Sequence, residues 1–245
     1  MSRIVFVEGQ FVPEEQAKVS VFDRAFLFGD GVYEVTSVLG GRLVDNGAHL
    51  ARLKRSLDEL RIPLPMPLLD IEAAQLETVR LNNLVEGGLY LQVSRGAADR
   101  DFAMPKDPKP TLVMFTQARK LVDNPAAERG ISVITMPDIR WRRRDIKTVQ
   151  LLAPSLANQQ ALDAGADDAW FVEDRFVTEG TSNNAWIVRA GALLTRQLSN
   201  DILHGITRRA VLRIAGESGL RFEERPFTVD EAKAADEAFV TSATA

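Results

Sequence analysis

Four short stretches of the sequence have the pattern of β-hairpins, and this pattern restricts the fold more than any other feature. Each stretch has two apolar runs separated by turn-forming residues: RIVFVEGQFV, GVYEVTSVLGGRLV, DAWFVEDRFVTEG and AWIVRAGALLT. Such runs predict antiparallel strands. Between them, apolar residues at helical spacing predict helices over 46–61, with Asn46 as N-cap, and over 70–82, 155–166 and 206–219. Hairpins mixed with helices indicate an α+β fold with two lobes.

A polar, turn-forming segment, RKLVDNPAAERG, separates the two lobes in the sequence. We therefore predict an N-terminal α/β domain over residues 1–118, a linker over 119–127 and a C-terminal domain over 128–245. The chain has no internal repeat and no low-complexity tract.

The composition excludes several classes of function. The chain has no cysteine and only two histidines, which excludes disulfides, thiolate catalysis, cysteine zinc sites and a histidine-rich metal site. Its 34 acidic and 30 basic residues give a net charge of −4, so no overall positive field recruits nucleic acid or an anionic membrane. No stretch has the pattern of a signal peptide or a membrane span. We expect a soluble, cytoplasmic protein that acts on small molecules.

Lys147 is the first candidate for chemistry. It lies in IKTVQLL, a β-branched, apolar run that predicts a strand, where its side chain shares a face with Val149 and Leu151. An ammonium group on an apolar face loses hydration, so the neutral and nucleophilic amine becomes more accessible. Such a lysine suits Schiff-base chemistry. The alternative is a lysine near a strand end whose long side chain reaches water.

Two later segments offer partners for this lysine. TEGTSNNAW places Glu179 in a tight polar loop between two apolar strands, although a plain polar turn is an equal alternative. In LSNDILHGITRRAVL, the turn at Gly205, Ile206 and Thr207 opens a helix whose free amides can bind phosphate. N-capping of the helix by Thr207 is the alternative there.

The order of these motifs resembles the signature of the fold-type IV, or class IV, pyridoxal-phosphate-dependent aminotransferases. The matching positions are Glu179, Thr181, Asn184, Trp186, Thr195 and the string LHGITR over 203–208, and DRAFLFGDGVYEV and HLARLKRSL resemble the N-terminal lobe of the same family. The resemblance is closest to the D-amino-acid transaminases. It implies a smaller N-terminal α/β lobe and a C-terminal pseudo-barrel lobe that binds pyridoxal 5'-phosphate.

The resemblance also implies a role for each motif residue. Lys147 forms the Schiff base with the cofactor and moves the substrate proton, and Glu179 faces the pyridine nitrogen. Leu203 packs against the cofactor ring. The phosphate is bound by Arg52, Ile206, Thr207, Ser242 and Ala243. Because Arg52 lies away from the leucine stripe of its helix, a solvated surface arginine is the alternative for that residue.

The substrate residues follow from the N-terminal motifs. Tyr33 in FGDGVYE resembles the D-specific enzymes, in which a tyrosine binds the substrate carboxylate together with an arginine and a histidine from the other subunit. In RGAADRDF, Arg100 matches that arginine, but Phe102 stands where the histidine would be. We expect Arg24 to supply a compensating cation. A surface loop charge is the alternative for Arg100.

These matches predict a homodimer, with active sites at its interface, that transaminates D-amino acids with a 2-oxo acid as acceptor. The alternatives are a branched-chain L-amino-acid aminotransferase, an (R)-selective amine transaminase, an aminodeoxychorismate lyase and a degenerate cofactor-binding protein without activity. Relatives continue beyond FVTSAT, whereas this sequence stops at Ala245. We therefore expect either a truncated chain or a loose phosphate loop there, with weaker cofactor retention.

Overall fold

The computed structural model describes residues 2–244, which form two compact units. The first unit contains the chain up to Asp123 together with Ile146–Gln150 and Thr244, and the second contains Asn124–Asp145 and Leu151–Ala243. The sequence placed residues 146–150 in the C-terminal domain, but their contacts are with the first unit. Ala245, on which the expectation about the chain end rests, lies outside the described residues.

The strands of the first unit form one antiparallel sheet in the order β2-β1-β6-β5-β3-β4. The strands are β1 (Ile4–Val7), β2 (Gln10–Pro13), β3 (Gly31–Leu39), β4 (Arg42–Leu43), β5 (Glu86–Ser94) and β6 (Thr111–Ala118). Both predicted hairpins of this half are confirmed, with turns at Glu8 and Gly9 and at Gly40 and Gly41.

The helices of the first unit are α1 (Arg24–Phe28), α2 (Asn46–Leu60) and α3 (Leu68–Leu81). The leucine stripe of α2 lies in the core, where Leu50, Leu53 and Leu57 are at most 6% exposed. The predicted N-cap was wrong by one residue, because Asp45 is the N-cap. The Asn46 side chain instead donates hydrogen bonds to residues of α3.

A second, polar strip of α2 is also buried, and it faces Glu34 of β3. His49, Arg52 and Ser56 follow one another at helical spacing beside the leucine stripe. Arg52 is only 8% exposed, and its Nε and Nη2 atoms donate hydrogen bonds of 2.8 and 2.7 Å to the Glu34 carboxylate. The Nδ1 atom of His49 lies 2.8 Å from the same carboxylate. The solvated-surface alternative for Arg52 is therefore wrong.

This ion pair decides the protonation of Glu34. Burial alone would raise the pKa of its carboxyl, but the charge and hydrogen bonds of Arg52, with smaller contributions from His49 and Lys147, lower the pKa to about 2. Glu34 is thus an ionised, buried group that holds α2 against β3.

The second unit has two open sheets. A three-stranded sheet has the order β7-β8-β9, and a four-stranded sheet has the order β12-β11-β10-β13. The strands are β7 (Val133–Pro137), β8 (Asp168–Glu173), β9 (Phe176–Gly180), β10 (Asn184–Arg189), β11 (Ala192–Thr195), β12 (Arg221–Glu224) and β13 (Glu237–Thr241). Within residues 124–243 these strands form two open sheets and no closed barrel, and the α+β fold class is confirmed.

Both predicted hairpins of the second unit are confirmed, with the β8–β9 turn at Asp174 and Arg175 rather than one residue earlier. The helices are α4 (Pro125–Arg129), α5 (Leu152–Asp163), α6 (Ile206–Glu217) and α7 (Val229–Lys233). The short α4 begins in the predicted linker and ends two residues beyond it; Asn124 caps its N-terminus and Pro125 occupies the first helical position. No helix among residues 2–244 is long and apolar enough to cross a membrane.

Glu34 should make the free energy of unfolding depend on pH in acid. Its pKa is about 2 in the folded protein against an ordinary value of 4.5, so the unfolded chain binds the proton first as the pH falls. The stabilisation is therefore complete above pH 4.5 and is lost as the pH falls towards 2, with a size of about 3 kcal/mol. Urea unfolding at several pH values measures it.

The Glu34→Gln variant should be less stable at neutral pH and should lose less stability in this acid range than the wild type. Glu77→Gln is the control, because Glu77 forms an ion pair with Arg80 on the surface of α3. An equal acid-induced loss of stability in the wild type and in Glu34→Gln would show that Glu34 does not carry this dependence.

Candidate active site

Lys147 lies in an extended segment rather than in a strand, so the predicted strand was wrong. Residues 146–150 pair with β3 through a single bridge between Thr148 and Val32. Two backbone hydrogen bonds hold the segment: Tyr33 donates to the Lys147 carbonyl at 3.0 Å, and Val149 donates to the Gly31 carbonyl at 3.1 Å. The pairing ends there because α5 begins at Leu152, the last leucine of the apolar run.

The Lys147 side chain lies among polar and aromatic groups of the first unit instead of on an apolar face. It is half-buried, and its Nζ atom lies 4.2 Å from the centroid of the Tyr33 ring. Its charge also acts on Glu34. A primary amine held between an aromatic face and a buried carboxylate is a suitable nucleophile and proton carrier.

Tyr33 belongs to a row of stacked rings across the sheet. Its ring centroid lies 5.5 Å from that of Tyr90, which in turn lies 4.7 Å from that of Phe115. Burial, and to a smaller extent Tyr33, raises the pKa of Tyr90 to about 12, so Tyr90 stays neutral and donates to Gln92. The stack therefore fixes the orientation of the Tyr33 ring beneath Lys147.

Arg24 and Arg100 have different surroundings. Arg24 is 4% exposed; its Nε donates to Asp30 at 2.8 Å and its Nη1 to the Asp101 carbonyl at 2.7 Å. Arg24 thus holds the loop that carries Arg100. The Arg100 side chain is exposed, and its guanidinium lies 5.5 Å from the ring centroid of Phe28 and 5.9 Å from that of Phe102. The substrate-binding roles of both arginines stay predictions.

Glu179 is the best-defined polar group of the second unit. It lies near the end of β9 and is 4% exposed. Its Oε1 accepts a hydrogen bond of 2.5 Å from Arg140, and its Oε2 accepts bonds of 3.1 Å from Asn184 and 3.0 Å from the Leu203 amide. Burial raises the pKa of the Glu179 carboxyl, and the charge of Arg140 opposes this change.

These contacts fit the ring nitrogen of pyridoxal phosphate. A carboxylate has about four acceptor positions. Within residues 2–244, three donors occupy three of these positions on Glu179, and Arg140 is the single one of them that reaches Oε1. One position is therefore available for an N–H group. The Leu203 backbone also accepts from Asn184 at 3.0 Å, so the residue expected beside the ring is tied to Glu179 through its own main chain.

The N-terminus of α6 has the properties of a phosphate site. Gly205 is its N-cap and has no side chain to accept a hydrogen bond from the first turn. The Ile206 and Thr207 amides lie in the first turn of α6, where backbone N–H groups have no partner within the helix. The Thr207 hydroxyl donates to the Ser242 carbonyl at 2.8 Å, so the N-cap alternative for Thr207 is wrong. Residues 206, 207 and 242, with Ala243 next in the chain, are thus held close together.

Several residues that organise these groups have no detectable signal in the sequence. Glu34 and His49 hold Arg52, and Arg140 binds Glu179. Asp168 accepts hydrogen bonds from the Thr181 hydroxyl and the Asn183 amide, and this fixes the loop that follows Glu179. No spacing in the sequence links Arg140 to a glutamate 39 residues later.

Comparison with known proteins gives the family. The model of the amino-transferase class IV family matches residues 31–245. The D-alanine aminotransferase of Staphylococcus epidermidis is 39% identical over 244 residues, which cover 98% of this chain and 86% of that protein. The D-alanine aminotransferase of Bacillus licheniformis is 38% identical over 243 residues, covering 98% of this chain and 85% of that protein.

A solved structure agrees with these sequence matches. The branched-chain aminotransferase of the thermophilic archaeon Thermoproteus uzoniensis, solved with norvaline, superposes with a TM-score of 0.86 at 28% identity, covering 100% of this chain and 84% of that one. The likeness in fold extends over both halves of the chain. The chain therefore belongs to the class IV aminotransferases, which are pyridoxal-phosphate-dependent enzymes of fold type IV.

Proposed function

We propose that this chain transaminates D-amino acids with a 2-oxo acid as acceptor, using pyridoxal phosphate attached to Lys147. The observation that carries the proposal is the buried Glu179 carboxylate, which has one acceptor position available on the atom that Arg140 also binds. The similarity to two D-alanine aminotransferases at 38% and 39% identity supports the D-amino acid as donor.

Three groups of this chain act on the ring, the amine and the proton. When bound, pyridoxal phosphate supplies an electron sink for the electron pair of the substrate Cα–H bond. Glu179 keeps the pyridine nitrogen protonated, which strengthens that sink. Lys147 holds the cofactor until the substrate amine replaces it, and its free Nζ then takes the proton from the substrate Cα. Leu203 packs on one face of the ring.

The phosphate requires donors and positive charge. We assign it the Ile206 and Thr207 amides at the start of α6, where the helix dipole favours an anion, and the turn at Ser242 and Ala243. Arg52 supplies a guanidinium to the same phosphate. Its ion pair with Glu34 fixes the orientation of this guanidinium.

The substrate carboxylate is assigned to Tyr33 and Arg100. Arg24 was expected to replace the missing histidine as a direct ligand, but its guanidinium already binds Asp30 and the Asp101 carbonyl. These contacts favour a role for Arg24 in holding the Arg100 loop. Phe102 beside Arg100 adds an apolar surface where relatives have a polar ligand.

The molecules that take part in the proposed reaction are small. They are a D-amino acid donor and a 2-oxo acid acceptor, both of which carry a carboxylate that an arginine can bind. We place the reaction in the cytoplasm. This location stays a prediction.

We also propose that two copies of the chain form a dimer through an apolar surface of the first unit. The first unit has large apolar side chains on its surface in two segments: Val21, Phe22, Phe26, Phe102 and Met104, with Phe26 77% and Phe102 83% exposed. The segments are joined by a bridge between Asp23 and Ala97. Clustered exposed apolar side chains are typical of protein interfaces. This surface includes the Arg100 loop, which the resemblance assigns to the neighbouring subunit's active site.

Replacement of Lys147 tests the chemistry. The purified protein should be yellow, and borohydride should fix the cofactor irreversibly to Lys147, as peptide mass spectrometry would show. Lys147→Ala should lose the reducible adduct and reduce turnover of D-alanine by at least about 10²-fold, because the nucleophile and the proton carrier are both removed. Lys54→Ala is the control, because Lys54 pairs with Asp58 on the surface of α2. Full turnover by Lys147→Ala would refute the assignment.

A panel of amino donors tests the substrate class. Both enantiomers of alanine, glutamate and leucine, together with (R)-1-phenylethylamine, are offered while the cofactor absorbance is followed. We expect conversion to the amine form of the cofactor with D-alanine and D-glutamate. Conversion with L-leucine alone would identify a branched-chain enzyme, and conversion with the amine alone an (R)-amine transaminase. Pyruvate release from aminodeoxychorismate without an acceptor would identify the lyase, and no conversion a degenerate protein.

The apolar surface predicts the oligomeric state. Phe26→Glu should convert a dimer into a monomer, because two charges would be buried in the same interface. Leu69→Glu is the matched control, because Leu69 is 78% exposed on α3 and lies outside this surface. Sedimentation equilibrium measures both masses. A wild-type monomer, or a dimer that Phe26→Glu leaves intact, would contradict the assignment of this surface.

A further inference from the structure

Arg140 lies between two carboxylates of the second unit. Its Nε and Nη2 atoms donate to Asp138 at 2.9 and 2.7 Å, and its Nη1 donates to Glu179 at 2.5 Å. The guanidinium also lies over the ring of Phe171, 4.4 Å from the centroid. All three nitrogens and one face of the planar group thus have a partner, so its position is fixed.

Asp138 is a buried carboxylate that binds two nitrogens of Arg140. Its side chain is fully buried, and its Oδ2 accepts from the Thr178 hydroxyl at 2.7 Å and lies 3.3 Å from Arg144 Nη1. Burial would raise the pKa of the Asp138 carboxyl, but the hydrogen bond and charge of Arg140, helped by Thr178 and Arg144, lower it. Asp138 therefore stays ionised and holds Arg140 in one orientation.

The contact with Arg140 opposes the effect of burial on the Glu179 carboxyl, whose pKa burial raises. A carboxyl group at this depth takes up a proton unless a cation stabilises its charge. Arg140 is that cation, whereas the negative charge of Asp138 acts in the opposite direction. Asn184 and the Leu203 amide contribute hydrogen bonds but no charge. A protonated Glu179 would donate a hydrogen bond to a neutral pyridine nitrogen, whereas an ionised Glu179 would accept one from the protonated nitrogen and hold the proton there.

We propose that Arg140, held by Asp138, is the positioning residue that places a positive charge against Glu179 and directs its Oε1 atom at the ring nitrogen of the cofactor. The inference rests on the proposed function, because it assigns that nitrogen to Glu179. Arg140 binds the same oxygen that has the available acceptor position. It fixes the direction of the carboxylate through this hydrogen bond and supplies its cationic partner.

A double-mutant cycle tests the inference in the full-length holoenzyme. The variants are Arg140→Gln, Glu179→Gln and the two combined, and each is assayed for the dissociation constant of pyridoxal phosphate, the cofactor absorbance against pH, and kcat with D-alanine. Arg140→Gln should weaken cofactor binding and lower kcat by about 10-fold or more, the worth of one charge-assisted hydrogen bond. In the Glu179→Gln background the same change should alter either value less than about twofold.

Two further variants separate positioning from general stability. Arg144→Gln removes a contact with the same Asp138 and an ion pair with Glu173 at 2.8 Å, but it leaves Glu179 untouched, so cofactor absorbance should be unchanged. Arg140→Lys keeps the positive charge and should restore part of the wild-type absorbance profile. It also provides a folded variant if Arg140→Gln does not fold.

The outcomes distinguish this inference from the proposed function. If Glu179→Gln impairs cofactor binding and kcat while Arg140→Gln and Arg140→Lys impair neither, Arg140 has no positioning role and the proposed function stands. Equal losses from Arg140→Gln in the wild-type and Glu179→Gln backgrounds would also overturn the inference. If Glu179→Gln itself has no effect, the assignment of the ring nitrogen to Glu179 fails.

Discussion

An ionised carboxylate is costly to bury unless a cation and hydrogen-bond donors accompany it, and this cost determines how the polar groups are arranged within each unit. Glu34 in the first unit and Glu179 in the second are each at most 4% exposed. Each has an arginine as its cationic partner, Arg52 and Arg140 respectively. The strands and helices around them supply the remaining donors, so the positions of these elements and the ionisation of the two carboxylates depend on each other.

The two ion pairs differ in the number of guanidinium nitrogens that donate to the glutamate. Arg52 gives two nitrogens to Glu34, and the pKa of that carboxyl falls to about 2. Arg140 gives two nitrogens to Asp138 and only one to Glu179, whose pKa is raised by its burial. Glu34 is therefore suited to hold α2 on the sheet. Glu179 remains the more basic carboxylate, which suits a group that binds a protonated nitrogen.

Local patterns in the sequence were sufficient for the four hairpins and the four longer helices, because strand alternation, turn glycines and leucine spacing are properties of neighbouring residues. They failed where the partner is distant in the chain. The apolar run at Lys147 looked like a strand, but β3 pairs with it only briefly. The solvated-surface alternative for Arg52 could be rejected only once the structure placed Glu34 of β3 beside it. Arg140 had no detectable signal, because its role depends on two carboxylates brought together by folding.

The charges around Glu179 explain why a cationic ring is a fitting partner. Asp138, Glu173 and Glu179 contribute negative charge to this cluster, whereas Arg140 and Arg144 are its positive members. Glu173 lies at the margin with its side chain 32% exposed, but Asp138 and Glu179 are buried and share Arg140 between them. The buried carboxylates of Asp138 and Glu179 are matched in number by the buried guanidinium groups of Arg140 and Arg144, so the unmatched negative charge of the cluster is that of Glu173. Glu179 itself accepts from only one nitrogen of Arg140, so a protonated pyridine nitrogen would be a second cationic partner for its carboxylate, which favours the protonation state in which the ring accepts electrons best.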